Sequence, residues 1–136
     1  MGRRLDKKSI YIIREKFVEK LIFDLLKDIG VPASRKGYRY IIDAILIVLS
    51  DEKSINKMGD MIYSKIAIRY NTKKSAVERA ITTAIEKIAL DGDVDLIYEI
   101  FGNTISSMKG KPTNKEFIAM FISKIKVERN IKTEKI

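Results

Sequence analysis

The stretch 71-NTKKSAVERAITTAIE-86 combines an apolar stripe with a polar opposite face. At about 100° per residue, the apolar residues that share one side of a helix are Val77, Ile81, Ala84, Ile85 and Ile88. The residues on the opposite side are Ser75, Arg79, Thr82, Thr83 and Glu86. A short turn, 69-RYNTKKS-75, joins this helix to the one before it. This arrangement predicts a helix-turn-helix, whose second helix enters a DNA major groove by its N-terminus.

The composition predicts one all-α domain spanning residues 1–136. Apolar residues make up 46% of the chain, and only two prolines and seven glycines interrupt it. The sequence has no cysteine and no histidine, which excludes disulfides, Cys/His zinc sites and Ser-His-Asp nucleophiles. The acids are scattered among lysines, so we expect no enzyme, no metal, no cofactor and no small-molecule substrate.

Helical periodicity predicts a compact bundle of about six helices, with the third and fourth forming the helix-turn-helix. The first helix is expected to begin at residue 11 or 14 and to end at residue 29. The other five are expected over residues 35–49, 55–70, 76–90, 94–101 and 114–127. Gly59 weakens the expectation of one continuous third helix. The expected inward residues of the first two helices are Phe17, Leu21, Leu25, Ile29, Tyr38, Ile41, Ile45 and Val48 or Leu49.

Several residues have the chemistry of helix caps. Ser75-x-x-Glu78 and Thr113-x-x-Glu116 match the capping box. Gly30 and Gly92 suit helix ends, and Asp93 suits a helix start. Capping accounts for the acids in 91-DGDVD-95, whose spacing does not fit a calcium loop.

The net charge of +9 and the pI near 9.7 favour a polyanionic partner. The longest apolar run, 44-AILIVL-49, is far too short to span a membrane. No signal peptide is evident, so we expect a cytoplasmic protein without membrane contact.

The polar face of residues 75–90 carries chemistry suited to DNA. Lys73, Lys74 and Ser75 lie at a helix N-terminus, which attracts phosphate. Arg79 can donate to guanine, Glu78 can accept from cytosine, and Thr82 or Thr83 can meet a thymine methyl or a phosphate. Two alternatives stay open: Glu78 as half of a capping box, and Arg79 as a solvated surface residue.

Longer motifs carry a family resemblance across residues 14–128. They are 30-GVPA-33, 36-KGY-38, 71-NT-72, 77-VERAI-81, 84-AIE-86, 101-FG-102, 111-KPTN-114 and 116-EFIAM-120. In these motifs the chain resembles the C-terminal effector domain of the stage-zero sporulation response regulator family. The resemblance implies a six-helix DNA-binding domain that regulates transcription at TGTCGAA-like boxes. It also implies head-to-tail binding on tandem boxes and contact with an RNA polymerase sigma factor.

The resemblance implies base reading by Glu78 and Arg79, which match the family's recognition motif. The chain departs from that motif where Ala76, Thr82 and Thr83 replace two arginines and a histidine. These losses keep an alternative open, in which the chain is a helical interaction module that has lost specific DNA binding. The family's receiver domain has no counterpart in these residues, and the basic start favours a stand-alone protein over an excised domain.

Further basic segments flank the expected core. The loop 109-KGK-111 carries Lys109 and Lys111, which with Lys115 are expected to contact phosphate. Residues 1–10 are expected to form a basic arm, which could reach a DNA groove or stay disordered. Residues 129–136 are expected to form a polar tail.

Overall fold

A computed structural model describes residues 6–30, 35–91, 94–101 and 112–134. This part of the chain contains six α-helices and no strand, which confirms the all-α prediction. The helices are α1 (Lys7–Asp28), α2 (Lys36–Ser50), α3 (Ser64–Arg69), α4 (Lys74–Asp91), α5 (Val94–Phe101) and α6 (Asn114–Glu134). None of the helices in these ranges has both the length and the apolarity needed to cross a bilayer.

Helix α2 lies at the centre of the core and packs against α1, α4 and α6. Its predicted inward residues are buried, as is the complete predicted stripe of α4. The predicted inward face of α1 is confirmed in the second half of the helix, where Leu25 and Ile29 are buried. In the first half it is wrong by one residue, because Val18 and Ile22 are buried, whereas Phe17 is 36% exposed and Leu21 is only partly buried. There, packing against α2 and α6 buries the neighbouring apolar row.

Gly37 sets the distance between α2 and α4. A Cβ atom at this position would overlap the carbonyl oxygen of Ala80 and lie 2.9 Å from the Cβ of Ala84. Both neighbours belong to α4, so the two helices cross at a separation that only glycine permits. Helix α4 is therefore seated directly on α2.

The predicted third helix, residues 55–70, is not one α-helix. A 3₁₀ segment, Glu52–Lys57, leads into a π-helical segment, Met58–Tyr63, and only Ser64–Arg69 is α-helical. The amide of Ser64 donates to the carbonyl of Gly59, five residues earlier, which is the π-helical pattern. The break occurs where the sequence places glycine inside the helix.

Helices α1 and α6 are longer than predicted. Asp6 caps α1 by accepting from the amide of Ser9, so Lys7 and Lys8 belong to a helix rather than to a basic arm. The apolar periodicity begins later than the helix, which explains the late predicted start. Helix α6 continues to Glu134, and most of the expected C-terminal tail is therefore helical.

The turn between α3 and α4 is a Schellman motif. The amide of Thr72 donates to the carbonyl of Ala67 at 2.9 Å, and the amide of Asn71 donates to that of Ile68 at 3.3 Å. Asn71 has a φ of 53°, in the left-handed region. This residue reverses the chain and determines where α4 begins.

Replacing Asn71 should separate its backbone role from its side-chain role. We expect Asn71→Gly to leave stability unchanged or raised, because glycine adopts this conformation freely. We expect Asn71→Ala to lower the free energy of unfolding by about 1–2 kcal/mol. Urea denaturation monitored by circular dichroism measures both. Equal stabilities for the two variants would contradict a left-handed turn at this position.

Candidate nucleic-acid interface

Helix α4 begins two residues earlier than its capping motif predicts, at Lys74 instead of Ala76. The carbonyl of Lys73 accepts from the amides of Ala76 and Val77, at 3.0 and 3.1 Å, so Ser75 lies inside the first turn. Among the described residues, which include both Ser75 and Glu78, no hydrogen bond joins these two side chains to each other's backbone. The predicted Ser75–Glu78 capping box is therefore absent, and the carboxylate of Glu78 is not used as a cap.

The outer face of α4 presents a small group of exposed polar side chains. Glu78, Arg79 and Thr83 are all exposed. Within the described ranges, the side chains of Glu78 and Arg79 have no hydrogen-bond or ion-pair partner. Three of the four residues predicted to read bases are thus brought together on one surface and left open to a ligand.

Thr82 lies differently from its predicted role. Its hydroxyl donates to the carbonyl of Glu78 at 2.9 Å and forms a hydrogen bond with the side-chain amide of Asn114. Asn114 also donates to the hydroxyl of Tyr63 at 3.0 Å and lies against the carbonyl of Glu78. The Thr82 hydroxyl therefore belongs to the contact between α4 and α6, and we expect it to position α4 rather than to contact a base or phosphate.

The sequence prediction missed Asn114 as the junction between α4, α6 and the π-helical segment. The signal was present, because Asn114 closes the quoted 111-KPTN-114 motif at the start of a helix. The capping box beside it is confirmed. Thr113 accepts from the amide of Glu116 at 3.1 Å, and Glu116 accepts from the amide of Thr113 at 3.0 Å. This cap, together with the bonds of Asn114, holds the start of α6 against α4.

The predicted phosphate-contacting residues differ in their surroundings. Lys73, Ser75 and Lys115 are exposed, and the two lysines have no ion-pair partner in the part of the chain described. The ammonium group of Lys74 lies 3.2 Å from the carboxylate of Asp60, which is 82% exposed. Lys109 and Lys111 lie outside the described residues, as do the predicted caps Gly92 and Asp93.

A comparison with protein families decides how this surface is to be understood. The family model of the sporulation initiation factor Spo0A C terminal matches residues 22–125, which is more than half of the chain. The chain belongs to this family. A Spo0A C-terminal domain is a DNA-binding effector domain that regulates transcription in sporulation, and the family is not an enzyme family. The open surface on α4 is therefore part of a DNA-binding domain.

A buried acid supports the turn in this Spo0A-type domain. Asp43 is 3% exposed, and its carboxylate accepts from the hydroxyl of Tyr70 and from the guanidinium of Arg69 at 3.4 Å. Arg39 donates to the same tyrosine oxygen at 3.1 Å and also contacts Glu19 at 3.5 Å. These bonds tie the end of α3 to α2 immediately before α4 begins.

The sequence prediction did not single out this network. A lone acid inside the apolar run 40-YIIDAILIVL-49 was the available signal, because a buried carboxylate needs partners. Those partners lie 26 and 27 residues away, and no local pattern identifies them.

The Tyr70 hydroxyl makes the network sensitive to alkaline pH. Burial, and the hydrogen bond donated to Asp43, raise the pKa of Tyr70 above its ordinary value of 10.0. A raised pKa in the folded state means that the contribution is complete below pH 10 and is lost as pH rises through the folded-state pKa. We expect Tyr70→Phe to lower the free energy of unfolding by about 1.5–3 kcal/mol at pH 7, and by less above pH 10. Urea denaturation across pH measures this difference, and a constant difference would contradict it.

Proposed function

We propose that α4 lies in the major groove of a TGTCGAA-like box, where Arg79 and Glu78 read bases. The observation that carries this proposal is the pair of exposed charged side chains on α4, neither of which has a partner among the described residues. Arginine donates two hydrogen bonds to guanine, and glutamate accepts from the cytosine amino group. Thr83 is exposed beside them and suits a thymine methyl group.

The start of α4 suits the DNA backbone. The amides of Lys74 and Ser75 have no acceptor within the described chain, and a helix N-terminus favours phosphate. Lys73 and Lys115 supply positive charge that has no ion-pair partner among the residues described, and Lys74 can exchange exposed Asp60 for a phosphate. Lys109 and Lys111 stay in the proposal because of their charge and their place in the family motif.

Fluorescence anisotropy with labelled box DNA and scrambled DNA tests this function. Two base-reading residues at about 1–3 kcal/mol each predict that the box binds at least roughly thirtyfold more tightly. Both affinities should fall as salt increases, because phosphate contacts release counterions. Equal affinity for the two DNAs would contradict base reading. Such a result would favour the alternative function, in which the domain is a helical interaction module that has lost specific DNA binding and keeps only its positive charge.

The loss of DNA affinity that we expect from the departures from the family motif should be reversible. Ala76 is exposed, so Ala76→Arg has room to reach DNA, and Thr83→His adds a second donor. We expect the double variant to bind the box roughly tenfold more tightly or better, since a charged hydrogen bond contributes about 1.5–3 kcal/mol. Ala89→Arg is the matched control, because it adds the same charge at an exposed site three and a half turns further along α4. An equal gain from the control would show that charge alone is responsible.

Two further roles follow from the family and join this proposal. We propose that the domains bind tandem boxes head to tail, and that α5 contacts the RNA polymerase sigma factor. Asp95 and Glu99 are exposed one turn apart on α5, and Tyr98 is 56% exposed beside them. Glu99→Lys should reduce sigma-factor binding without changing affinity for box DNA. Loss of DNA affinity would instead place α5 against the DNA.

A further inference from the structure

The solvent-facing side of α1 carries three lysines and three large apolar residues, which we call the α1 stripe. Its members are Ile12, Ile13, Lys16, Lys20, Phe23 and Lys27. At 100° per residue they fall within roughly 100° of one another, and at 1.5 Å per residue they extend over about 22 Å. The stripe is therefore continuous along four turns of the helix.

The apolar members of the stripe are large and exposed. Ile12, Ile13 and Phe23 are 42%, 54% and 41% exposed. Single exposed apolar residues are normal, but several in one row along a helix are typical of an interaction surface. Among the side chains of α1 that the structure describes, the first buried one is that of Val18, so these side chains of the N-terminal half lie outside the core.

The stripe also carries uncompensated positive charge. Lys16, Lys20 and Lys27 are exposed, and none forms an ion pair within the described ranges. Of the two acids beside them, Glu19 contacts Arg39 at 3.5 Å, and Asp24 lies at the edge of the stripe. A partner that covers this surface must supply negative charge as well as apolar groups.

We propose that the α1 stripe docks an acidic amphipathic helix of a protein partner. Such a helix places its apolar face over the isoleucines and Phe23, in the way that helix-in-groove partners bind, while its acids meet the lysines. A second copy of the chain fits poorly, because its stripe carries the same three lysines and offers them no acid. DNA fits poorly because phosphates offer nothing to the isoleucines. Moreover, α1 packs against α2 and α6, whereas the DNA-reading surface is on α4.

The probe for this surface is a fluorescein-labelled helical peptide of about 15 residues, the length that matches the stripe. It carries leucines on one face and glutamates on both flanks. We expect Lys16→Glu/Lys20→Glu to weaken its binding about tenfold or more through like-charge repulsion. Lys53→Glu/Lys57→Glu is the matched control, with the same charge change on an exposed segment outside α1, and should change affinity less than about twofold.

A second variant tests the apolar half of the surface without disturbing the fold. Ile13→Ser should weaken peptide binding several-fold and leave the free energy of unfolding unchanged, because the side chain is exposed. Four results would overturn the proposal. The first two are equal peptide binding by the stripe and control variants, and equal binding of a peptide with lysines in place of glutamates. The third is a dimer of the protein that dissociates in the stripe variants. The fourth is stripe-dependent binding to phosphatidylserine vesicles without peptide binding. DNA affinity that falls more for the stripe variant than for its control would likewise reassign the surface.

Discussion

Gly37→Ala is expected to lower the free energy of unfolding by about 3 kcal/mol or more, at or above the upper end of overpacking effects. The added methyl group would overlap the carbonyl oxygen of Ala80 and lie 2.9 Å from the Cβ of Ala84. A flexible side chain could rotate away from such a contact, but a helix backbone cannot. Helix α4 must therefore shift away from α2, and the contacts of buried Ile81 and Ile85 are lost with it.

Gly59→Ala is the matched control for this effect. Among the described residues, the atom that a Cβ at Gly59 would meet within 4 Å is the ammonium nitrogen of Lys74, at 4.0 Å. Alanine is also the better helix former by about 1 kcal/mol, so we expect stability to stay equal or to rise. Urea denaturation compares the two variants directly. A Gly37→Ala protein as stable as Gly59→Ala would show that α2 and α4 do not cross at the distance described.

The Gly37→Ala substitution should also disturb DNA binding under conditions in which the protein stays folded. Because α4 is seated on α2 through this glycine, a shift of α4 relative to α6 should also strain the hydrogen bonds that Thr82 makes with Asn114. We therefore expect a Gly37→Ala protein that remains folded at low temperature to lose affinity for box DNA. Gly59→Ala should retain it.

The sequence predicted those parts of the fold in which local periodicity and packing agree. The buried stripe of α4, from Val77 to Ile88, follows from a 3.6-residue repeat with one clear apolar side. Helix α1 has apolar residues around most of its circumference, so periodicity alone could not choose between the rows of Phe17 and Val18. Contacts with α2 and α6 made the choice, and these are distant in sequence.

For the candidate site, the sequence predicted the exposed residues better than their supports. Glu78 and Arg79 could be placed away from the core from the helical wheel, because α4 has one clear apolar side. The hydrogen bonds that hold α4 join Asn114 to Thr82, Glu78 and Tyr63, over separations of 32, 36 and 51 residues. No short-range pattern predicts such partners, so the sequence did not show that the Thr82 hydroxyl takes part in the contact between α4 and α6.

Arg79→Ala should produce the largest loss of DNA specificity. Its side chain is exposed and has no partner in the described chain, so its removal should change stability by no more than about 0.5 kcal/mol. Losing a bidentate contact with guanine should nevertheless remove about 1–3 kcal/mol of discrimination, or roughly five- to 150-fold in affinity ratio. Binding to random DNA should fall only slightly, because it depends on phosphates.

Two comparison variants separate base reading from charge. Lys73→Ala should weaken box and random DNA alike and make the salt dependence shallower by roughly one unit, as expected for a phosphate contact. Glu78→Gln tests the neighbouring base reader. Since its carboxylate forms no cap, the variant should fold normally while losing preference at one C·G pair.

The most direct test of the central claim is the ratio of box to random DNA affinity for Arg79→Ala, measured by anisotropy beside the wild type and Lys73→Ala at one salt concentration. Base reading by α4 predicts that this ratio falls at least about fivefold in Arg79→Ala and is unchanged in Lys73→Ala. A ratio in Arg79→Ala equal to that of the wild type, in a protein that remains folded, would contradict the claim that α4 reads bases.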